Sequence, residues 1–238
     1  MELRNLSMEE LASFVCSELK KKDINVVLSG GSCMELYTNE LYSSYDIDFV
    51  MKYSYRQKLI EQTMLELGFQ IEGKYYILEE SQYFIEILTP PVAVGDQFLS
   101  EFATRNTKVG TLTLLSANDC VKDRLCGCFY HDDKICFEHA LAVGHKNSIN
   151  KDELRNWAAN EDKVMQQGVK KFLEILNMLE NPTEENIKIF LKQFCQEEII
   201  DINTDIGKQD FIDLLLQSYS GKILLSTYSK NELMGFLK

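Results

Sequence analysis

The chain lacks most of what marks a secreted, membrane-bound or nucleic-acid-coating protein. No apolar run approaches the roughly 20 residues needed to cross a bilayer, so no membrane partner is expected. The first twenty residues carry Glu2, Glu9, Glu10 and Glu18, which is wrong for a secretory signal, and the expected location is the cytoplasm. The seven cysteines are odd in number and lack the spacing of a disulfide framework, which fits reduced intracellular thiols. A basic excess is missing as well. The formal net charge is −12, with ten Lys/Arg against seventeen Asp/Glu over residues 1–118 and fifteen against twenty over the rest. Neither half carries a broad electrostatic footprint for nucleic acid, and the lysine run Lys20–Lys22 reads as a solvated helix end. Internal repeats, low-complexity tracts and flexible linkers are absent too.

At 238 residues, 45% of them hydrophobic and 26% charged, the chain has material for one sizeable soluble domain or two modest ones. Ser7-Met8-Glu9-Glu10 is a capping box, with Leu11, Phe14, Val15 and Leu19 following at helical spacing. Val26–Leu28 reads as a buried strand closing into Ser29-Gly30-Gly31-Ser32, and Met34–Tyr42 as a helix. A strand carrying Asp46 and Asp48 comes next, then a helix over Ser54–Leu67 closed by Gly68. Gln70–Ile77 and Tyr83–Leu88 alternate as an antiparallel pair, and Lys108–Leu115 is one more strand. After Ser116 the texture turns helical: Asp119–Tyr130, Ile135–Val143, a helix opened by Asn150, Val164–Leu179, a helix through Ile187 and Phe194, Phe211–Leu216 and Ser229–Leu237. The apolar stripe at 169, 172, 173, 176 and 179 is expected to be buried.

Chemistry concentrates in the first half. Asp46 and Asp48 alternate with Ile47 and Phe49, so both carboxylates share one face of a strand, roughly 6.6 Å apart along the chain. Such a pair resists burial unless a cation sits between its members, and hard oxygen ligands select magnesium or manganese. Glu86 supplies a third carboxylate in the middle of Phe84-Ile85-Glu86-Ile87-Leu88, where a lone buried charge would be costly. The plainer reading of Glu86 is an edge-strand residue facing water. The glycine turn leaves its backbone amides open to a phosphate. Together these features point to a metal-dependent phosphate site.

Gly30-Gly31-Ser32, a thirteen-residue spacer, Asp46-Ile47-Asp48-Phe49 and then Ile85-Glu86-Ile87 resemble the pattern of the polymerase-β-type nucleotidyltransferase superfamily. The stretch Ser116–Leu125 with Asp132-Asp133-Lys134 further resembles the bacterial abortive-infection AbiEii/AbiGii-type toxin branch. The resemblance covers roughly residues 24–145. It implies an α+β fold: a nucleotidyltransferase-type mixed β-sheet with helices over residues 1–116, then an all-helical bundle domain over 117–238. It also implies a nucleoside triphosphate substrate and Mg²⁺ or Mn²⁺, with transfer of the nucleoside monophosphate to an acceptor. By this resemblance Asp46, Asp48 and Glu86 are the metal ligands and catalytic carboxylates. Gly30, Gly31 and Ser32 would grip the β/γ-phosphates, Lys122 would supply a point charge, and Asp123 would orient it or a metal-bound water. The acceptor would be a protein side chain, a transfer RNA or a small molecule, and the acidic surface slightly favours the first or last. A toxin would imply a cognate antitoxin. The competing function is a catalytically idle nucleotide-binding or interaction module that keeps the fold; for Lys122 alone, a surface lysine on an amphipathic helix competes.

Other candidates weigh less. Cys120, Cys126, Cys128 and Cys136 with His131 and His139 form no C-x-x-C pair and read as idle thiols rather than zinc ligands. His145 has no spaced partner and reads as structural. Trp157 and Tyr75, Tyr76 and Tyr83 read as packing residues rather than base-stacking ones, there being no interleaved basic residues.

Overall fold

The computed structural model describes residues 2–39, 41–53, 56–201 and 203–237. It divides into two compact units, Met1–Cys126 and Gly127–Lys238.

The first unit is built on a seven-stranded mixed sheet. Its strands are β1 (Val26–Leu28), β2 (Asp46–Met51), β3 (Gln70–Glu72), β4 (Tyr75–Ile77), β5 (Phe84–Leu88), β8 (Ala103–Asn106) and β9 (Thr111–Leu114). Across the sheet they run β3-β4-β5-β2-β1-β9-β8. The pairs β2/β5 and β1/β9 are parallel; the remaining pairs are antiparallel. A separate two-stranded hairpin joins β6 (Ala93–Val94) to β7 (Gln97–Phe98). Helix α1 (Met8–Lys21) packs against β1 and β9, while α2 (Gly30–Thr38) packs against β2; α3 (Gln57–Glu66) reaches β3 and α1.

The periodicities explain the core. Ser7 accepts from the Glu10 amide while Glu10 reaches back, so the capping box forms as the sequence predicts and turns Leu11, Val15 and Leu19 inward. On β2, Ile47, Phe49 and Met51 are buried, on β5 so are Ile85 and Ile87, and β1 is buried throughout. Each such side chain contributes about 1.5–3 kcal/mol of burial. That apolar face anchors the strands whose other face carries the acidic residues.

Several boundaries differ from the sequence reading for physical reasons. The helix expected over Met34–Tyr42 begins at Gly30 and ends at Thr38, where Asn39 turns left-handed at φ 53. The helix expected from Ser54 is described from Gln57, and Ser54 itself lies outside the described residues. Gln70–Ile77 is not one strand: Gly73, at φ 62, folds it into the β3–β4 hairpin. Only Thr111–Leu114 of the Lys108–Leu115 segment pairs as strand. The split into units falls inside helix α4 (Ala117–Tyr130), ten residues past the boundary expected at 116. The first turns of α4 belong with the sheet because Cys120 touches Cys33 of α2 and Lys122 reaches Gln97 of β7.

The second unit is helical: α5 (Ile135–Lys146), α6 (Lys151–Ala158), α7 (Lys163–Glu180), α8 (Glu184–Glu197), α9 (Asp205–Gln217), α10 (Tyr219–Thr227) and α11 (Lys230–Phe236). Asn150, Asp162, Thr183, Thr204, Ser218 and Ser229 each accept a backbone amide at a helix start. The stripe Val169, Phe172, Leu173, Leu176 and Leu179 is buried. No described helix is long and apolar enough to cross a membrane.

Candidate active site

Two register choices assemble the site. Antiparallel pairing sets Leu28 of β1 opposite Phe49 of β2, so the next residue, Ser29, donates its amide to the Asp48 carbonyl at 2.9 Å. The glycine turn therefore opens beside Asp48. Parallel pairing sets Asp48 directly opposite Glu86, with Asp46 opposite Phe84. Asp46, Asp48 and Glu86 thus share one face of two neighbouring strands, and each offers an oxygen within 4.8 Å of the others.

The glycine is required here. Gly30 takes φ +67, and a Cβ at that position would lie 2.5 Å from Asp48 Oδ2. Gly31 is nearly as tight, with a hypothetical Cβ 3.0 Å from Ser44 Oγ. The helix begins at Gly30, so the positive end of its dipole lies beside the Asp48 carboxylate. The Ser32 hydroxyl, fully buried, donates to the Asp46 carbonyl oxygen, which Ser44 Oγ also reaches at 3.0 Å. Ser32 ties α2 to β2 through that bond.

The electrostatics are those of acids held together against repulsion. Burial first, then the charges of Asp46 and Glu86, pushes Asp48 up to about 7; Arg124 pulls it down and Asp123 adds to the rise. Asp46 is also raised, by burial and by Glu86, against the pull of Lys74 and a hydrogen bond with Asp48. Lys74 Nζ lies 2.6 Å from Glu86 Oε2. Asp46 Oδ1 is buried without a hydrogen-bond partner. A buried carboxylate oxygen with nothing to accept from, beside two more carboxylates, is a donor set that a divalent cation completes. All ligands are hard oxygens, so the residues fit magnesium or manganese.

The two α4 candidates occupy different surroundings. Lys122 is 1% exposed, with Nζ 2.9 Å from Asp119 Oδ1 and 3.2 Å from Gln97 Oε1. It is a buried, paired lysine rather than a surface one. Asp123 takes Arg124 as a partner: Arg124 Nη2 lies 2.6 Å and Nε 3.0 Å from Asp123 Oδ2. That pair borders Asp48 electrostatically. Arg124 and Lys74 were not legible as site residues, although Asp119-x-x-Lys122 spacing does signal a helical ion pair.

Of the other candidates, all seven cysteines are free thiols, and no metal cluster besides Asp46, Asp48 and Glu86 forms among the described residues. His145 Nδ1 lies 2.9 Å from the Tyr219 hydroxyl inside the helical unit. Trp157 is buried at 5% exposure, and Tyr75 packs edge-on against Phe84.

The fold resembles that of an antigenic nucleotidyltransferase-like protein from Paracoccidioides brasiliensis, known from its crystal structure. The TM-score is 0.53 at 12% identity, over 74% of this chain and 88% of that chain. The solution structure of the antibiotic-resistance factor ANT(2'')-Ia aligns at a TM-score of 0.33 and 10% identity, over 81% of this chain and 92% of that one. No protein-family model matches the chain, and none of the curated proteins does. The architecture is therefore a nucleotidyltransferase-like α+β fold with a helical C-terminal region.

Proposed function

We propose that this protein is a metal-dependent nucleotidyltransferase, moving a nucleoside monophosphate from a nucleoside triphosphate to an acceptor. One observation carries the reading: three carboxylates from two strands meet within 4.8 Å beside a glycine turn that admits no side chain. Asp46, Asp48 and Glu86 would hold Mg²⁺ or Mn²⁺. Such ions would supply charge neutralisation on the attacking and leaving oxygens of a displacement at phosphorus. The protein's own part is positional. Gly30 and Gly31 offer amides to the triphosphate, with Ser32 fixing the turn to β2 through the Asp46 carbonyl. Asp123 and Arg124 sit as a neutralised pair bordering Asp48, and Arg124 draws that carboxylate toward its charged form. Lys122 holds α4 to β7 through Asp119 and Gln97.

The narrower reading, the toxin of a phage-defence or toxin–antitoxin pair, rests on the resemblance of Ser116–Leu125 with Asp132-Asp133-Lys134. Growth arrest on expression of the wild-type chain, absent for Asp48→Asn, is its expected signature. The broader reading is tested by pyrophosphate release from each nucleoside triphosphate with Mg²⁺ or Mn²⁺, and by labelled-nucleotide transfer to protein, transfer RNA and small hydroxyl acceptors. Triphosphate binding without release across all acceptors would leave an idle nucleotide-binding module.

A further inference from the structure

Glu86 already has a cation beside it. Lys74 follows Gly73 in the β3–β4 turn, and the β4–β5 register sets its neighbour Tyr75 directly opposite Glu86. The turn thereby delivers Lys74 to the edge of the carboxylate group. Its Nζ lies 2.6 Å from Glu86 Oε2 and 4.9 Å from the centre of the Tyr75 ring. The partners differ sharply in setting: the lysine side chain is 60% exposed, the glutamate 11%.

Three carboxylates gathered this closely repel one another, and an ammonium contacting one of them relieves part of that repulsion. A divalent ion held by Glu86 offers the same relief with twice the charge, and it needs the same carboxylate. At oxygen-ligand distances of about 2.1 Å it also repels an ammonium sharing that ligand. We propose that Lys74 is a built-in counter-cation of the site: it engages Glu86 while no divalent ion is held, competes with the ion for that carboxylate, and swings outward when the ion binds. The swing is easy, because the lysine stem is flexible and mostly solvent-facing, and the Tyr75 ring gives the ammonium a second resting place. Its consequence is a tuned ion affinity, with Glu86 held in place between ion-binding events. The proposal rests on the metal-site reading of Asp46, Asp48 and Glu86.

The test is a Mn²⁺ titration of the full chain, reading free Mn²⁺ by its paramagnetic resonance signal, with thermal midpoints recorded in parallel. Lys74→Met keeps the stem over Tyr75 and removes the charge; Lys74→Arg keeps the charge. Lys74→Met is expected to bind Mn²⁺ roughly fivefold tighter than wild type, the upper range for a pair with one exposed partner, and Lys74→Arg to stay within about twofold. Without ion, the Lys74→Met midpoint falls below wild type; at saturating Mn²⁺ the two converge. Stoichiometric wild-type binding with unchanged or weaker binding by Lys74→Met overturns the counter-cation role alone. Absence of wild-type binding, or full binding by an Asp46→Asn/Asp48→Asn double variant, overturns the metal site together with it.

Discussion

Among the described residues, the sheet unit buries Glu35, Glu86, Asp119 and Lys122, whereas the helical unit buries a single formally charged residue, Glu161. Glu161 accepts from the Tyr130 hydroxyl, and most of that unit's other buried side chains are apolar. Within the sheet unit the buried charges divide again. Asp119 and Lys122 satisfy each other, and Glu35 accepts the Ser44 amide at 2.5 Å. Asp46, Asp48 and Glu86 instead crowd like charges together, with Asp46 Oδ1 left unpartnered. Burial of charge alone therefore does not mark a functional site. Like charges held together and only partly offset, by Lys74 and Arg124, mark the candidate one.

The largest effect expected from this contrast is at Asp48. Asp48→Asn keeps the volume and removes both a ligand and a repulsive charge. Pyrophosphate release should fall by on the order of 10²–10³ or more, while the thermal midpoint at pH 8 rises. Activity near wild type would place the chemistry elsewhere. A midpoint that falls instead would mean that the three acids are not in conflict.

Lys122→Met makes the opposite prediction. It strands Asp119 as a buried charge, and breaking a buried pair costs about 3–5 kcal/mol. Denaturant unfolding should show that loss, whereas a lysine that gripped the triphosphate would show weaker nucleotide binding at unchanged stability. In the helical unit the comparable cost comes from a cavity. Phe172, fully buried, fills the space over Gly144, where a Cβ would lie 2.9 Å from its ring. Phe172→Ala should lose about 3–5 kcal/mol, read by the same unfolding measurement.

These contrasts also say what the amino-acid order could reveal. The capping box at Ser7, the 169–179 stripe and the alternation around Asp46 and Asp48 are local patterns, and the structure follows them. Glu86 was legible because a charge inside an apolar strand is anomalous anywhere. The start of α2 was not, since paired glycines disfavour helix interiors and read as a turn. The short strands β6, β7 and β8 carry several exposed residues and too little alternation to announce themselves. Lys74 and Arg124 became site-edge residues through strand register and helix phase, which no local spacing encodes.

Glycine substitutions sharpen the distinction on a smaller scale. Gly30 and Gly73 both take positive φ, at +67 and +62, but a Cβ at Gly30 meets Asp48 Oδ2 while one at Gly73 meets nothing within 4 Å. Gly73→Ala should cost about 1 kcal/mol from backbone strain alone. Gly30→Ala should cost about 2–3 kcal/mol, strain plus the clash, and should also weaken Mn²⁺ binding by displacing the Asp48 carboxylate. Equal costs at the two positions would mean that the approach of turn to carboxylate is not tight.

The last effect is a dependence on pH, and its sign is fixed by Asp48. Its folded value of about 7 lies above the ordinary 3.8, so over that window the folded protein keeps a proton that the unfolded chain has lost. The stabilisation is complete below the ordinary value and is lost as pH rises through about 7. Partial solvent access limits the loss to about 2 kcal/mol. Metal-free wild type should therefore lose stability relative to Asp48→Asn between pH 5 and pH 8, measured by urea unfolding in chelator. Divalent ion should restore more of it at pH 8 than at pH 5, because protons and ion compete for the same oxygens. Parallel curves for the two proteins would show that Asp48 is ionised at no cost in the fold, and the conflict among the three acids would have to be resolved by their protein surroundings alone.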